Sequence, residues 1–130
     1  MANQFVVELK NVPGGLATLA EALAERGIDL RAIGGGGIGD SGHIIMTTAD
    51  DDGARAVLEA GGYTFIEGES ILTEVDDRPG GMARLSRSLA DAGVNIYGHL
   101  FLGRWGDRAM FAFVVDRPDL AKPILERKGS

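Results

Sequence analysis

The chain has no cysteine. Disulfides, zinc–thiolate centres and thiol nucleophiles are therefore excluded. Histidine is scarce as well, with His43 and His99 alone. Neither has a Glu or His partner at metal-ligand spacing, so surface or strand-packing roles are expected and no metal, cofactor or catalytic residue is. No apolar run approaches the ~18 residues of a membrane span, and the N-terminus lacks a charged leader region. A soluble, cytoplasmic protein without a membrane partner is the expectation. An excess of positive charge is also missing: 13 Lys and Arg stand against 19 Asp and Glu, for a net charge of −6. That argues against a nucleic-acid partner, which needs a basic surface. Arg78, Arg84, Arg87, Arg104 and Arg108 all fall in the second half and read as a scattered, solvated set.

What is present is a repeat. Val12-Pro13-Gly14-Gly15-Leu16 and Gly27-Ile28-Asp29-Leu30 recur 66 residues later as Arg78-Pro79-Gly80-Gly81-Met82 and Gly93-Val94-Asn95-Ile96. Ala17, Leu19, Leu23 and Ala24 fall on Ala83, Leu85, Leu89 and Ala90. On the same spacing Glu8 matches Glu74, Asp50 matches Asp116, and His43 and His99 match Ala109 and Ile33. Two copies of one supersecondary unit follow, 1–67 and 68–130. A unit of ~60 residues buries only about 60% of its unfolded surface, so each copy is expected to pack on the other or on a second chain.

Within copy one, Gln4–Leu9 reads as a strand ending in a glycine-rich turn. Leu16, Leu19, Ala20, Leu23 and Ala24 recur at helical spacing, and Gly27 is placed as a C-cap. Ile28–Ile33 and His43–Thr48 flank the turn residues Gly39-Asp40-Ser41-Gly42 and predict a hairpin. Asp50 is placed to cap a short helix bearing Ala54, Val57 and Leu58, which Gly61-Gly62 stops before a strand over Tyr63–Glu67. Copy two repeats the pattern as Ile71–Val75, Gly80–Ala92, Val94–Leu102, Ala109–Val115 and Pro118–Arg127. The order predicts α+β architecture: two ferredoxin-like βαββαβ units, antiparallel sheets with helices on one face.

Copy two departs from copy one at its end. Its last strand is expected near residues 129–133, past Ser130, which leaves Ile71–Val75 as an open edge for another element to complete or for water to cover. Pro123 is expected to kink or shorten the last helix. Met110–Val115 is apolar on both strand faces, so a face pointing away from the helices needs cover from the other copy or a second chain.

The residues Asp77-Arg78-Pro79-Gly80-Gly81-Met82, followed by Leu85, Leu89 and Gly93-Val94-Asn95-Ile96, resemble the ACT domain. Asn11-Val12-Pro13-Gly14-Gly15-Leu16 to Gly27-Ile28-Asp29-Leu30 is similar to the same family. The resemblance implies a stand-alone regulatory sensor, not an enzyme, that binds an amino acid or similar small ligand at interfaces between paired ACT units. It implies a homodimer, and a separate enzyme or regulator as its target. The ligand positions it implies are Asn11, Gly14, Gly15 and Asp29 in copy one, and Asp77, Gly80, Gly81 and Asn95 in copy two. The chemistry agrees: free N–H groups at a helix start suit an α-carboxylate, glycines permit close approach, Asn95 can donate and accept, and ionised Asp29 and Asp77 accept from an ammonium.

Plainer roles stand beside these. Pro-Gly-Gly serves any tight strand-to-helix turn, and Asn11, Asp29, Asp77 and Asn95 can each bond local backbone. Gly34–Gly37 lacks the Lys-Ser/Thr of a phosphate-binding loop and reads as a bulged or flexible strand, or a place where another backbone approaches. Trp105 reads as a turn aromatic, and Asp50-Asp51-Asp52 as acids favoured at a helix start. The rival functions are a small ferredoxin-like enzyme and an assembly module that binds no ligand but dimerises with or regulates a partner.

Overall fold

A computed structural model describes residues 2–126. The chain forms two compact units, Ala2–Gly68 and Glu69–Ser130. Unit 1 runs β1 (Asn3–Lys10), α1 (Gly15–Glu25), β2 (Leu30–Ile38), β3 (Ser41–Thr48), α2 (Asp51–Ala60) and β4 (Phe65–Glu69). Its sheet has the order β2-β3-β1-β4. Unit 2 runs β5 (Ile71–Asp76), α3 (Gly81–Asp91), β6 (Ile96–Trp105), β7 (Arg108–Val115) and α4 (Pro118–Leu125), with the order β5-β7-β6. This is the ferredoxin-like plan twice, and β5 is an edge among the described residues. A strand near residues 129–133 and Arg127 of the last helix lie outside the described residues.

The helices form where their apolar stripes meet the sheets. In unit 1, Leu19 and Leu23 of α1 and Ala54, Val57 and Leu58 of α2 pack with Phe5, Val7, Ile44 and Met46. Unit 2 uses Leu85, Leu89, Ala121 and Leu125 against Ile71, Val75, Phe113 and Val115. Met110, Ala112 and Val114 alternate with these and point from the other face of β7. Three helices end alike. In α1 the Gly27 N–H bonds Ala24 O and the Ile28 N–H bonds Leu23 O, with Gly27 at φ 69°. Gly93 and Gly62 do the same for α3 and α2. This double bond around a left-handed residue satisfies the last free carbonyls and favours glycine there. Asp50 caps α2 by accepting from the Gly53 N–H at 3.0 Å. Pro123 lies inside α4, and the Glu126 N–H still bonds Lys122 O at 2.9 Å beyond it, so the proline removes its own bond without ending the helix.

The register corrects the repeat. β1 pairs Phe5 with Met46 and Glu8 with His43, whereas β5 pairs Ile71 with Phe113 and Glu74 with Met110. The period is 66 for the first strands but 67 for β3 and β7, so His43 corresponds to Met110 and not to Ala109. The extra residue is Leu102. The β6 register shifts between Phe101 and Gly103, a bulge that β2 lacks at that place. Downstream the new period persists. The Ala49 N–H bonds Asp29 O while the Asp116 N–H bonds Asn95 O. Asp50 and Arg117 are the cap residues. Asp50 therefore matches Arg117, and Asp116 matches Ala49. A one-residue insertion is invisible to a comparison at constant spacing once the flanking residues differ.

The four-glycine run is also corrected. Gly34–Gly37 pairs in unbroken register with β3, and the shift in β2 falls earlier, between Leu30 and Ala32. Close backbone approach does hold at Gly35, where a Cβ would lie 2.2 Å from His43 O. Among the described residues no helix is long and apolar enough to cross a membrane.

Candidate functional site

The two Pro-Gly-Gly loops are built alike. Gly14 and Gly80 precede the helices with φ of 88° and 92°, a conformation costly for any residue with a Cβ. Gly15 and Gly81 are needed for a different reason. A Cβ on Gly15 would lie 2.9 Å from Lys10 O, and one on Gly81 would lie 2.2 Å from Asp76 O. The helix thus starts in contact with the last carbonyl of the preceding strand. The four glycines shape the loops and do not themselves line the grooves beside them.

Each unit carries a groove of about 430 Å³ between this loop and its β-hairpin. In unit 1 the lining includes Leu9, Asn11, Val12, Leu16, Ile33, the glycine run Gly34–Gly37, and Ile44. In unit 2 it includes Val75, Asp77, Arg78, Met82, Arg104 and Phe111. Leu9 and Val75, Asn11 and Asp77, Val12 and Arg78, and Leu16 and Met82 correspond at the period of 66. Gly37 and Arg104, and Ile44 and Phe111, correspond at 67. The grooves are therefore the same place in the fold, twice.

Their chemistry differs. Asn11 is tied to the hairpin: its amide donates to Gly39 O at 2.9 Å and its backbone N–H donates to Asp40 O at 3.1 Å. A Cβ on Gly37 would lie 2.5 Å from Asn11 Cγ, so the glycine makes room for that side chain. In unit 2 the Asp77 N–H donates to Asp107 O at 2.8 Å. Arg104 replaces the glycine, and its Nε donates to Asp77 Oδ2 at 2.7 Å. The same guanidinium lies 4.7 Å above the centre of the Phe101 ring, which stands where unit 1 has Gly35. Unit 1 thus keeps a groove with largely apolar walls, edged by Lys10 and His43, and unit 2 a charged one of similar volume.

Asp29 and Asn95 are elsewhere. Asp29 is exposed and pairs with Arg31 at 3.2 Å. The Asn95 N–H donates to Asp116 Oδ1 at 2.8 Å. Leu30 pairs with Thr48, while Lys10 pairs with Ser41. The start of β2 and the loop after β1 thus sit at opposite ends of β3, about 23 Å apart at roughly 3.3 Å per residue. The structure gathers Asn11 with its loop, and Asp77 with its own, but brings neither together with the second-strand residue of the same unit.

Arg104 as a groove residue and the Leu102 bulge were not recognised from sequence, although the first hairpin turn and the place of Trp105 at the second were. Ile38 and Trp105 correspond at the tips and are 89% and 63% exposed. The two Gly-Asp turns, Gly39-Asp40 and Gly106-Asp107, stand 67 residues apart and were the available signal. Unlike the scattered set expected, four of the five arginines named above converge: Arg78, Arg84 and Arg108 on Asp76, and Arg104 on Asp77. Arg87 stands apart, paired with Asp91. Among the described residues no three His, Asp or Glu side chains are grouped to hold a metal ion.

Comparison with known proteins bears on the first unit most directly. Residues 4–60 match the ACT domain. The matched stretch spans β1 to α2 and includes every residue that lines groove 1. None of the curated proteins matches the chain significantly in sequence. Solved structures share its fold. A Bacteroides thetaiotaomicron protein superposes with a TM-score of 0.70 at 22% identity, over 96% of this chain and 86% of that one. The regulatory subunit of aspartate kinase from Thermus thermophilus, in a ligand-free form, gives 0.64 at 20% identity over 99% and 93%. The same subunit from Thermus flavus gives 0.66 at 20% over 97% and 92%. Both units take part in these superpositions.

Proposed function

We propose that the chain is a non-enzymatic, ligand-sensing regulator in which both units are ACT domains and the loop grooves receive an amino acid or similar small molecule. The observation that carries this reading is the pair of equivalent grooves beside the Pro-Gly-Gly loops. The ACT match over unit 1 supports it, as does the likeness to regulatory subunits of aspartate kinase. Asn11 and Asp77 mark the loop side of each site. Asp29 and Asn95 lie too far from the loop of their own unit to touch the same small ligand. A ligand reaching both positions bridges two ACT units across a homodimer, one giving its loop and the other the start of its second strand. Binding then shifts the population of paired units and so reports to a separate enzyme or regulator.

A thermal-shift screen with the amino acids at millimolar concentration tests this. A ligand present at a hundred times its Kd stabilises by about 2.7 kcal/mol, which raises Tm by several degrees. Asn11→Ala should remove most of the shift for a groove 1 ligand. Folded protein whose Tm ignores every amino acid would overturn the amino-acid reading of the grooves. One feature favours the assembly-module alternative: β2 is an edge strand with no charge between Ala32 and Ile38, and Ile38 is 89% exposed. That alternative predicts a dimer whose mass and stability are insensitive to amino acids.

A further inference from the structure

The two grooves occupy one place in the fold but do not suit one ligand. Around groove 2 stand Arg78, Arg84, Arg104 and Arg108. Their counterparts in unit 1 are Val12, Thr18, Gly37 and Ser41, none of them charged. Against the four guanidinium groups stand two carboxylates, Asp76 and Asp77. Asp76 alone serves three arginines. Arg108 takes one of its oxygens, while Arg78 and Arg84 reach the other only at 3.4 and 3.6 Å. One carboxylate cannot neutralise three cations, and the surplus is two positive charges, or one if Glu74, 3.9 Å from Arg108, is included. This surplus sits in a chain whose net charge is −6.

The donors are also in surplus. Each guanidinium has five N–H groups and no acceptor. Arg108 Nη2 is buried and has no hydrogen-bond partner. Arg78, Arg84 and Arg104 are 73%, 56% and 61% exposed, so their free N–H groups are open to an incoming molecule. Arg84 lies over the loop itself, since a Cβ on Gly80 would be 2.7 Å from its Nη1. Arg78 and Arg104 line the groove directly.

We propose that groove 2 is an anion site that selects a small dianion, a dicarboxylate or a phosphate monoester, whereas groove 1 takes a ligand of little net charge. A doubly charged, oxygen-rich group matches the surplus of the four arginines over Asp76 and Asp77, and it fits guanidinium donors, which pair two at a time with carboxylate or phosphate oxygens. A zwitterion brings no net charge and leaves the surplus uncompensated. The inference rests on the reading of the strand-to-helix loop as the ligand site and adds the ligand class of its second copy.

Isothermal titration calorimetry on the full chain at constant ionic strength tests it. Succinate and inorganic phosphate are the dianion probes, chloride is the monoanion control, and neutral amino acids are titrated in parallel. The expected result is saturable binding of one dianion and not of chloride. Binding of succinate alone assigns a dicarboxylate, and binding of phosphate alone a phosphate monoester. Arg78→Gln and Arg104→Gln should each weaken it about tenfold, the value of one charge-assisted hydrogen bond. Arg87→Gln, outside the groove, should leave it unchanged. Arg78 and Arg87 are both highly exposed, so these variants keep the fold. The proposal is overturned if neither dianion binds, if chloride competes equally, or if Arg87→Gln weakens binding as much as Arg78→Gln. Amino-acid binding without dianion binding overturns this inference alone; a chain that binds neither class overturns the ligand-site reading with it.

Discussion

Replacing Gly81 by alanine adds a single methyl group, and the structure says where it goes. A Cβ at this position lies 2.2 Å from Asp76 O and 3.1 Å from Val75 Cγ1. The oxygen is backbone at the end of β5, where Asp76 pairs with Arg108 across the sheet. It cannot swing aside as a flexible side chain does. Relief requires the start of α3 to lift from β5, which loosens Leu85 and Leu89 from the core. Overpacking of this kind costs about 1–3 kcal/mol, and so short an approach to backbone belongs at the upper end. Gly15→Ala meets Lys10 O at 2.9 Å and should cost about 1 kcal/mol or less, since alanine also favours the helix. Gly80→Ala should fall between them at about 1–2 kcal/mol, the strain of a left-handed residue; its steric neighbour is the mobile tip of Arg84. Urea titration measures the order. Trp105, the sole tryptophan, lies in β6 and reports on unit 2 by fluorescence. With a slope near 1 kcal/mol per molar for so small a unit, Gly81→Ala should lower the midpoint by about 2–3 M. A Gly81→Ala midpoint within ~0.3 M of wild type, or one above that of Gly80→Ala, would refute the close-approach account of the second glycine.

Two further outcomes are expected. Glu67 accepts from Arg55 Nε and Nη2, both at 2.7 Å, and from the Asn3 amide at 2.8 Å; the Arg55 bonds hold its carboxyl below the usual value against the opposing effect of burial. Because the folded value is the lower one, its stabilisation is present above the ordinary carboxylate range and is lost as pH falls through the depressed value. Glu67→Gln should cost about 1 kcal/mol at neutral pH, allowing for solvent screening. Thermal melts below about pH 4 should show its deficit shrinking; a deficit constant with pH contradicts the assignment. In unit 2, the buried Thr73 hydroxyl donates to Leu125 O at the end of α4. Thr73→Val leaves that carbonyl without its donor and should cost about 1–3 kcal/mol, with Thr73→Ser recovering part of the loss in the same urea assay. Equal stability of the valine and wild-type proteins would remove the bond from the account.

Much of the fold was legible because it rests on local rules. The glycines after α1 and α3, the cap at Asp50 and the helical spacing of Leu19, Leu23, Leu85 and Leu89 each express a backbone or packing requirement within a few residues. The ends of elements were less legible. β2 extends through Gly34–Gly37 to Ile38, since pairing with β3 overrides the poor strand tendency of glycine. The candidate site was legible as a loop and not as a site. Asn11 and Asp77 lie at their grooves, but their present partners, Gly39 O and Arg104, come from a hairpin some thirty residues away. The separation of Asp29 from Asn11 is a matter of strand direction and became visible only once the register was known.

The sequence alone determined that one βαββα plan is used twice, and that each copy enters its first helix through a Pro-Gly-Gly turn. Those features are set by interactions between near neighbours, and near neighbours are what a repeat preserves. Tertiary structure decided that the copies are not chemically equivalent. A single inserted residue, Leu102, is absorbed as a bulge, which keeps the strand faces aligned and seats Arg104 where unit 1 has Gly37. Arg78, Arg84, Arg104 and Arg108 span thirty residues of chain with no periodic relation. They become one cluster because the loop, the helix and the hairpin converge at the same end of the sheet, and charges act through space and not along the chain.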